Sequence, residues 1–354
     1  MNTHQLMIAS ENKDSGFKPL MKTFKNCSLD MGHDNSKRSQ RLDNANDHKE
    51  NQVHVGHGYS EHTEGSEHLQ DENQSIYEEP IINVAHLGAQ IPVARQDLPV
   101  FVVLNKRINL SADEKQSFPD CVLLENKLVF TDINNTRLVI FNEDDSDISY
   151  ISLSYKPWGI TGVSSDIVAV SYPWVRIIQI INICTGSVKF QQNYRNECWG
   201  LSYYEHLLYF ISSSAILKIC DIKGNMKDKF RLPSCDVSYV TVSDDRLFCT
   251  DRDILYCCDM LGSIIWEFKV ERLKGLHGVT VDGTGNVYVA GEWSNNVVAV
   301  SPNGKRCRVI LTSADGIDAP RGIYFDKNEN RLIVCNCNGN TVLVLNSKND
   351  KLMG

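Results

Sequence analysis

From Pro99 onward the chain is a succession of short apolar runs, each of strand length and each closed by turn residues. "VFVVLN", "KLVFTD", "RLVIFN", "IVAVSY", "LLYFIS", "RLFCTD", "NVYVAGE", "RLIVCN" and "TVLVLN" are examples, and their β-branched and aromatic content marks them as β-strands. Residues 1 to 95 have a different character. Asn, Asp, Glu, Gln, Ser, His and Lys dominate there, the only aromatics are Phe17, Phe24, Tyr59 and Tyr77, and no apolar period is sustained. A segment of this kind cannot bury enough apolar surface to offset the ~1–2 kcal/mol per residue lost on ordering a backbone. It is expected to be a disordered polar and acidic tail, with the folded domain occupying residues 96–350.

The runs recur with a period. Aligning the first strand of each group places Phe118, Trp158, Trp199, Ser238, His277 and Arg321 at one equivalent position, with spacings of 40, 41, 39, 39 and 44 residues. A second marker agrees: the turns "CTGS", "IKGN", "MLGS" and "PNGK" put Gly186, Gly224, Gly262 and Gly304 at spacings of 38, 38 and 42, where a hairpin needs a residue that tolerates positive φ. Four strands in a unit of roughly 40 residues is the signature of a propeller blade. Six units fit, so the predicted fold is an all-β, six-bladed β-propeller of four-stranded antiparallel blades. The last unit ends at its third strand, "TVLVLN", which would leave an open edge. The unpaired run "PVFVVLNKRINL" at residues 99–110 is predicted to supply the missing outer strand and close the ring.

Composition narrows the function classes. The chain has 354 residues and no apolar stretch long enough to span a bilayer, and its opening lacks the basic start and apolar core of a secretory signal. A cytoplasmic location and free thiols are therefore expected for the twelve cysteines, among which no CxxC pair occurs. The formal charge of −8 argues against broad attraction to nucleic acid or an anionic membrane; from residue 96 onward 27 Lys and Arg face 30 Asp and Glu. His54, His57, His62 and His68 lie in the acidic tail without thiolates nearby, and polar composition explains them better than metal binding. No metal or cofactor is expected. The chain contains no GxSxG, HExxH or phosphate-loop pattern.

"GLHGVTVDGTGNVYVAGEWSNNVVAVSPNG" and "APRGIYFDKNENRLIVCNCNGNTVLVLN" resemble NHL repeats, and residues 99–346 are similar to the six-bladed propeller of tripartite-motif (TRIM) proteins of the NHL type, particularly the expanded molluscan set. The match is best in blades five and six and weakest in blade one, where "SFPDCVLLENKLVFTD" lacks the glycine. In that family the propeller recognises a protein or an RNA, while RING, B-box and coiled-coil segments supply ubiquitin transfer and dimerisation. A RING or B-box needs closely spaced Cys and His; upstream of the propeller there is one cysteine, Cys27. The resemblance thus implies the recognition half of a ligase, without a catalytic module of its own.

In a propeller the loops leading into each inner strand share an end with the loops joining second and third strands. That geometry gathers Trp158, Trp199, His277 and Arg321 with Tyr172, Trp174, Glu292 and Trp293, so four of five tryptophans would rim one end of the channel, and Trp266 is left in an outer strand. Trp, Tyr and Arg dominate binding hot spots. The competing reading is that a Trp before Gly, as in "PWGI" and "CWGL", plugs the gap between blades. Trp158 and Trp199 are balanced between the two, and Trp174 and Trp293 lean to contact because they sit in turns. His277 and Arg321 are read as polar channel residues, not catalysts, and Asp132, Asp251 and Glu292 as second-strand ends that bond loop backbone. The expected function is recognition of a protein partner; RNA is the alternative, through aromatic stacking and a local basic patch. A Ca²⁺-dependent lactonase-like hydrolase is the enzyme alternative, and neither DNA nor a membrane is an expected partner.

Overall fold

The second and third strands of each unit are mostly apolar because each is covered on both faces, whereas the fourth strands are the more exposed. In the computed structural model "KLVFTD" and "LLYFIS" are buried almost throughout, while "MKDKFR" is almost wholly exposed. Radial sheets packed face against face produce this gradient, since only the outermost strand reaches solvent. The structure describes residues 98–110, 115–144, 146–213, 215–338 and 340–349. The expected disordered tail, with its histidines, lies outside the described residues.

Six four-stranded antiparallel sheets form the propeller. Blade 1 consists of β2 (Cys121–Leu124), β3 (Lys127–Asp132), β4 (Arg137–Asn142) and β5 (Ile148–Ser152), and blade 2 of β6 (Ile160–Ser164), β7 (Ile167–Tyr172), β8 (Ile177–Asn182) and β9 (Val188–Asn193). Blade 3 is β10 (Cys198–Tyr204), β11 (Leu207–Ser212), β12 (Ile216–Cys220) and β13 (Met226–Arg231), and blade 4 is β14 (Tyr239–Ser243), β15 (Arg246–Thr250), β16 (Leu255–Cys258) and β17 (Ile264–Phe268). Blade 5 is β18 (Leu276–Val281), β19 (Val287–Gly291), β20 (Asn296–Val300) and β21 (Cys307–Thr312). Blade 6 takes β22 (Pro320–Asp326), β23 (Arg331–Asn336) and β24 (Thr341–Asn349) from one end of the domain and β1 (Val100–Asn109) from the other. β1 pairs antiparallel with β24 from Val100↔Asn349 to Asn109↔Thr341, so the predicted closure is present. Neighbouring inner strands touch all the way round, including β2 against β22.

Hydroxyl groups stitch the blades at two levels. Thr161, Ser202 and Thr280 on the inner strands accept hydrogen bonds from the backbone N–H of Tyr203, Val242 and Phe325 in the next blade, at 3.1, 3.0 and 3.0 Å. At the second-strand ends, Thr131, Ser171 and Thr250 donate to the carbonyls of Trp158, Trp199 and His277 at 2.8, 2.7 and 2.5 Å. Each such bond is worth about 1 kcal/mol net, and together they define the blade-to-blade register.

That register corrects the alignment of blade one. Thr131 N–H donates to the Asp120 carbonyl as Ser171 N–H does to that of Gly159, so Asp120 is the counterpart of Gly159. The residue equivalent to Trp158 is therefore Pro119, not Phe118, which is fully buried against Phe130 at 5.4 Å. Without the glycine the sequence offered no anchor, and the aromatic was the nearest look-alike. The turn glycines hold: Gly262 has φ +87° and lies so close to Phe230 of the preceding blade that a side chain would collide with its ring.

Candidate functional site

The residue after each lead-in marker is glycine in four blades, because adjacent inner strands approach too closely for a side chain. A Cβ on Gly200 would fall 2.7 Å from the Ser238 carbonyl oxygen and 2.9 Å from the Tyr239 Cα. This brings the preceding side chains together around the axis. Trp158 and Trp199 meet edge to face at 5.3 Å, and Trp174, on the short 3₁₀ turn Pro173–Val175, stands edge-on to both at 5.8 and 5.9 Å. Trp158 also touches Tyr239 at 6.1 Å, and Tyr239 meets the His277 ring at 5.5 Å.

An ion cluster continues the ring. Arg321 donates through Nη2 to Glu292 Oε1 at 2.5 Å, and His277 Nε2 lies 2.5 Å from Glu292 Oε2. The Arg321 guanidinium also lies over the Trp158 ring at 5.5 Å. Burial alone would push the Glu292 carboxyl up, but the His277 hydrogen bond and the Arg321 charge outweigh it and hold the pKa at about 2. Burial pushes His277 down, with Arg321 adding to the effect and the hydrogen bond to Glu292 opposing it. Trp158 Nε1, His277 Nδ1 and Arg321 Nε are buried without hydrogen-bond partners.

Seven of the eight predicted residues thus share one end of the channel. Trp174 and Trp293 are exposed, at 40% and 48%. Trp293 covers Gly275 on the lead-in loop of its own blade, beside Glu292. Trp158 and Trp199 are half-buried within the aromatic cluster and serve both as plug and as rim. Tyr172 departs from the expectation. It is fully buried among the side chains of blades 1 and 2, edge-on to Tyr155 at 5.8 Å, because as the last residue of β7 it points into the inter-blade wall and not out of the turn. Asp132 and Asp251 accept loop N–H groups as expected: Asp132 from Asn135 and Ser117, Asp251 from Asp253 and Ile254. Glu292 instead holds the ion cluster.

Two residues escaped the sequence reading. Tyr239 occupies the glycine position of blade 4, and its hydroxyl donates to the Pro119 carbonyl of blade 1 at 2.9 Å, spanning the axis between opposite blades. Asp120 occupies the glycine position of blade 1, where it accepts from Ile160 N–H at 3.0 Å and Cys121 N–H at 2.9 Å. The signal was available, since "SYV" and "PDC" break a column that otherwise reads "WGI", "WGL", "HGV" and "RGI".

No family model matches the chain. A stretch of 69 residues is 38% identical to the E3 ubiquitin-protein ligase TRIM56 of Mus musculus, covering 18% of this chain and 9% of that protein's length. Among solved structures, a protein of unknown function from Bacteroides thetaiotaomicron aligns with a TM-score of 0.58 at 12% identity, over 70% of this chain and 76% of the other. The β-propeller domain of Cps50 (Swd1) from Myceliophteria thermophila aligns at 0.55 and 8% identity, over 69% and 99%. Virginiamycin B lyase from Staphylococcus aureus aligns at 0.50 and 16%, over 70% and 88%. Identities this low establish the shared fold alone. Among the described residues no group of three or more His, Cys, Asp or Glu is arranged to hold a metal, and no helix is long and apolar enough to cross a membrane.

Proposed function

We propose that this chain is a recognition propeller that binds a protein partner through its tryptophan-bearing end, in the manner of the substrate-binding domains of TRIM-type ubiquitin ligases. The single observation that carries the reading is the pair of exposed indoles, Trp174 and Trp293, standing beside an Arg321–Glu292–His277 cluster whose charges are already matched. Large amphipathic side chains over a rigid base are the composition of a binding hot spot. The local match to TRIM56 and the NHL-like repeats support the same direction. The chain's contribution in this reading is recognition and not catalysis. A hydrolase reading lacks converging carboxylates in the described residues, and the near-neutral domain charge places RNA second.

The test is the double substitution Trp174→Ala and Trp293→Ala. Partner capture should be lost while the denaturation midpoint stays within about 1 kcal/mol of the parent, as for side chains that leave little buried surface behind. A large loss of stability would make both indoles structural. Retention on RNA columns that falls steeply with salt would replace the protein partner by RNA.

A further inference from the structure

Beneath the aromatic plug lies an axial cavity of about 80 Å³. Its wall takes residues from every inner strand, among them Val122, Ile160, Leu201, Thr241, Thr280 and Tyr324, together with Asp120 just before β2. Tyr239 crosses it at the tryptophan end, and the lining runs along the inner strands toward the six hairpins that join first to second strands. Asp120 brings a carboxylate to this wall where four other blades carry glycine. Among the described residues no Lys, Arg or His forms an ion pair with it; only the two backbone N–H groups hold it. A half-buried carboxylate without a countercharge favours the approach of a cation.

The far end supplies the complementary field. The hairpins joining first to second strands carry Glu125, Asp166, Glu205, Asp244, Asp245 and Glu329, an acidic content spread over five of the six blades. One alkylammonium is already seated there. Lys327 reaches from blade 6 to blade 4, where Nζ donates to Ser243 Oγ at 2.8 Å and lies 3.2 Å from Asp244 Oδ2. A wall that is more polar than apolar, with hydroxyl oxygens at intervals and one carboxylate that has no cationic partner, suits a slender chain tipped with a positive charge.

We propose that the axial cavity binds a primary alkylammonium group, drawn in through the acidic hairpin end and met by the Asp120 carboxylate. The group is either that of a free aliphatic diamine or that of a lysine side chain. Entry is from the hairpin end, while Asp120 itself sits beneath the aromatic plug, in the same column as Tyr239.

Burial pushes the Asp120 carboxyl up to about 7, with the Ile160 and Cys121 amides pulling it back. An ammonium pairs only with the ionised form, so affinity rises by about tenfold from pH 6 to pH 8. The groups facing Asp120 from neighbouring elements leave that window clear. Cys121, hydrogen-bonded to Cys335 and buried, is raised well above it, as is buried Tyr239; burial pushes Tyr324 up to about 12. His277 is held down by burial, Glu292 stays at about 2, Arg321 stays charged, and Asp326 is paired with Arg331.

The experiment titrates the full chain with putrescine and, separately, with N-acetyl-lysine methylamide, at pH 6 and pH 8, following heat of binding and melting temperature against sodium chloride of equal ionic strength. Saturable binding of either probe, about tenfold tighter at pH 8 and absent in Asp120→Asn, supports the site. Binding of both probes assigns it to free amines as well as to lysine side chains, and binding of the lysine analogue alone assigns it to a protein side chain. Thr241→Leu, which fills the cavity from blade 4, should weaken binding if Asp120→Asn fails to fold. The Trp174→Ala and Trp293→Ala variant should bind the probes as the parent does. Shifts no larger than those of sodium chloride, or binding unchanged in both cavity variants, would overturn the proposal.

Discussion

At one end of the channel Trp158, Trp174 and Trp199 stand edge to face around Tyr239, and Glu292 ties Arg321 to His277; at the other, the first-to-second-strand hairpins carry acidic side chains. Both ends are built on the same strands, but one carries the lead-in loops and second-to-third-strand turns and the other the first-to-second-strand hairpins. What differs is the loop content. Large rings reach across the axis at the first end, where the Tyr239 hydroxyl meets the Pro119 carbonyl of the opposite blade, whereas the hairpins of the second carry short acidic side chains. The sealed end offers shape and exposed indole, the open end charge and depth, and one fold therefore carries two surfaces with unrelated chemistry.

The contrast presupposes a closed ring, so the largest effect should come from deleting residues 96–111. Nine of the ten residues of β1 pair with β24. Without them the edge of blade 6 is open and cooperative unfolding should be lost. A truncated chain that still melts in one sharp transition would show that the ring closes by other means.

Next in size is Trp158→Ala at the sealed end. Trp158 contacts two tryptophans, Tyr239 and Arg321, and its loss should cost about 3–5 kcal/mol in denaturant titration. An unaffected midpoint would mean that the seal is ornament and not plug. Acid tests the same end more gently. The folded pKa of Glu292 is depressed from 4.5 to about 2. Its contribution, about 3 kcal/mol by linkage, is therefore complete above about pH 4.5 and disappears as pH falls through about 2. Glu292→Gln should remove that part of the acid-unfolding slope, measured as stability against pH from 5 to 2. An identical slope in the variant would show that the ion cluster contributes nothing to the seal.

Much of the architecture was legible because it is written in repetition. The runs, the turn glycines and the orphan strand each depend on local backbone geometry, and local geometry is what residue type reports. Blade one shows where this fails. With Asp120 in place of glycine, the alignment slipped from Pro119 to Phe118, and only the Thr131 hydrogen bond to the Asp120 carbonyl restores it. Tyr172 failed for a related reason. A residue at a strand end can point into the wall or out of the turn, and its neighbours in another blade decide which.

By itself the amino-acid order determined the strands, their number per unit, the six-fold count and the pairing of the two ends, since each follows from short-range pattern and from the need to satisfy an edge. Tertiary structure alone decided that Trp158, Trp174 and Trp199 pack on one another, that Tyr239 bridges to Pro119 across 120 positions of sequence, and that Asp120 faces a cavity. Those relations join opposite or neighbouring blades across the axis. Distances of that kind depend on how the whole ring closes, a quantity to which every blade contributes and no single stretch of chain records.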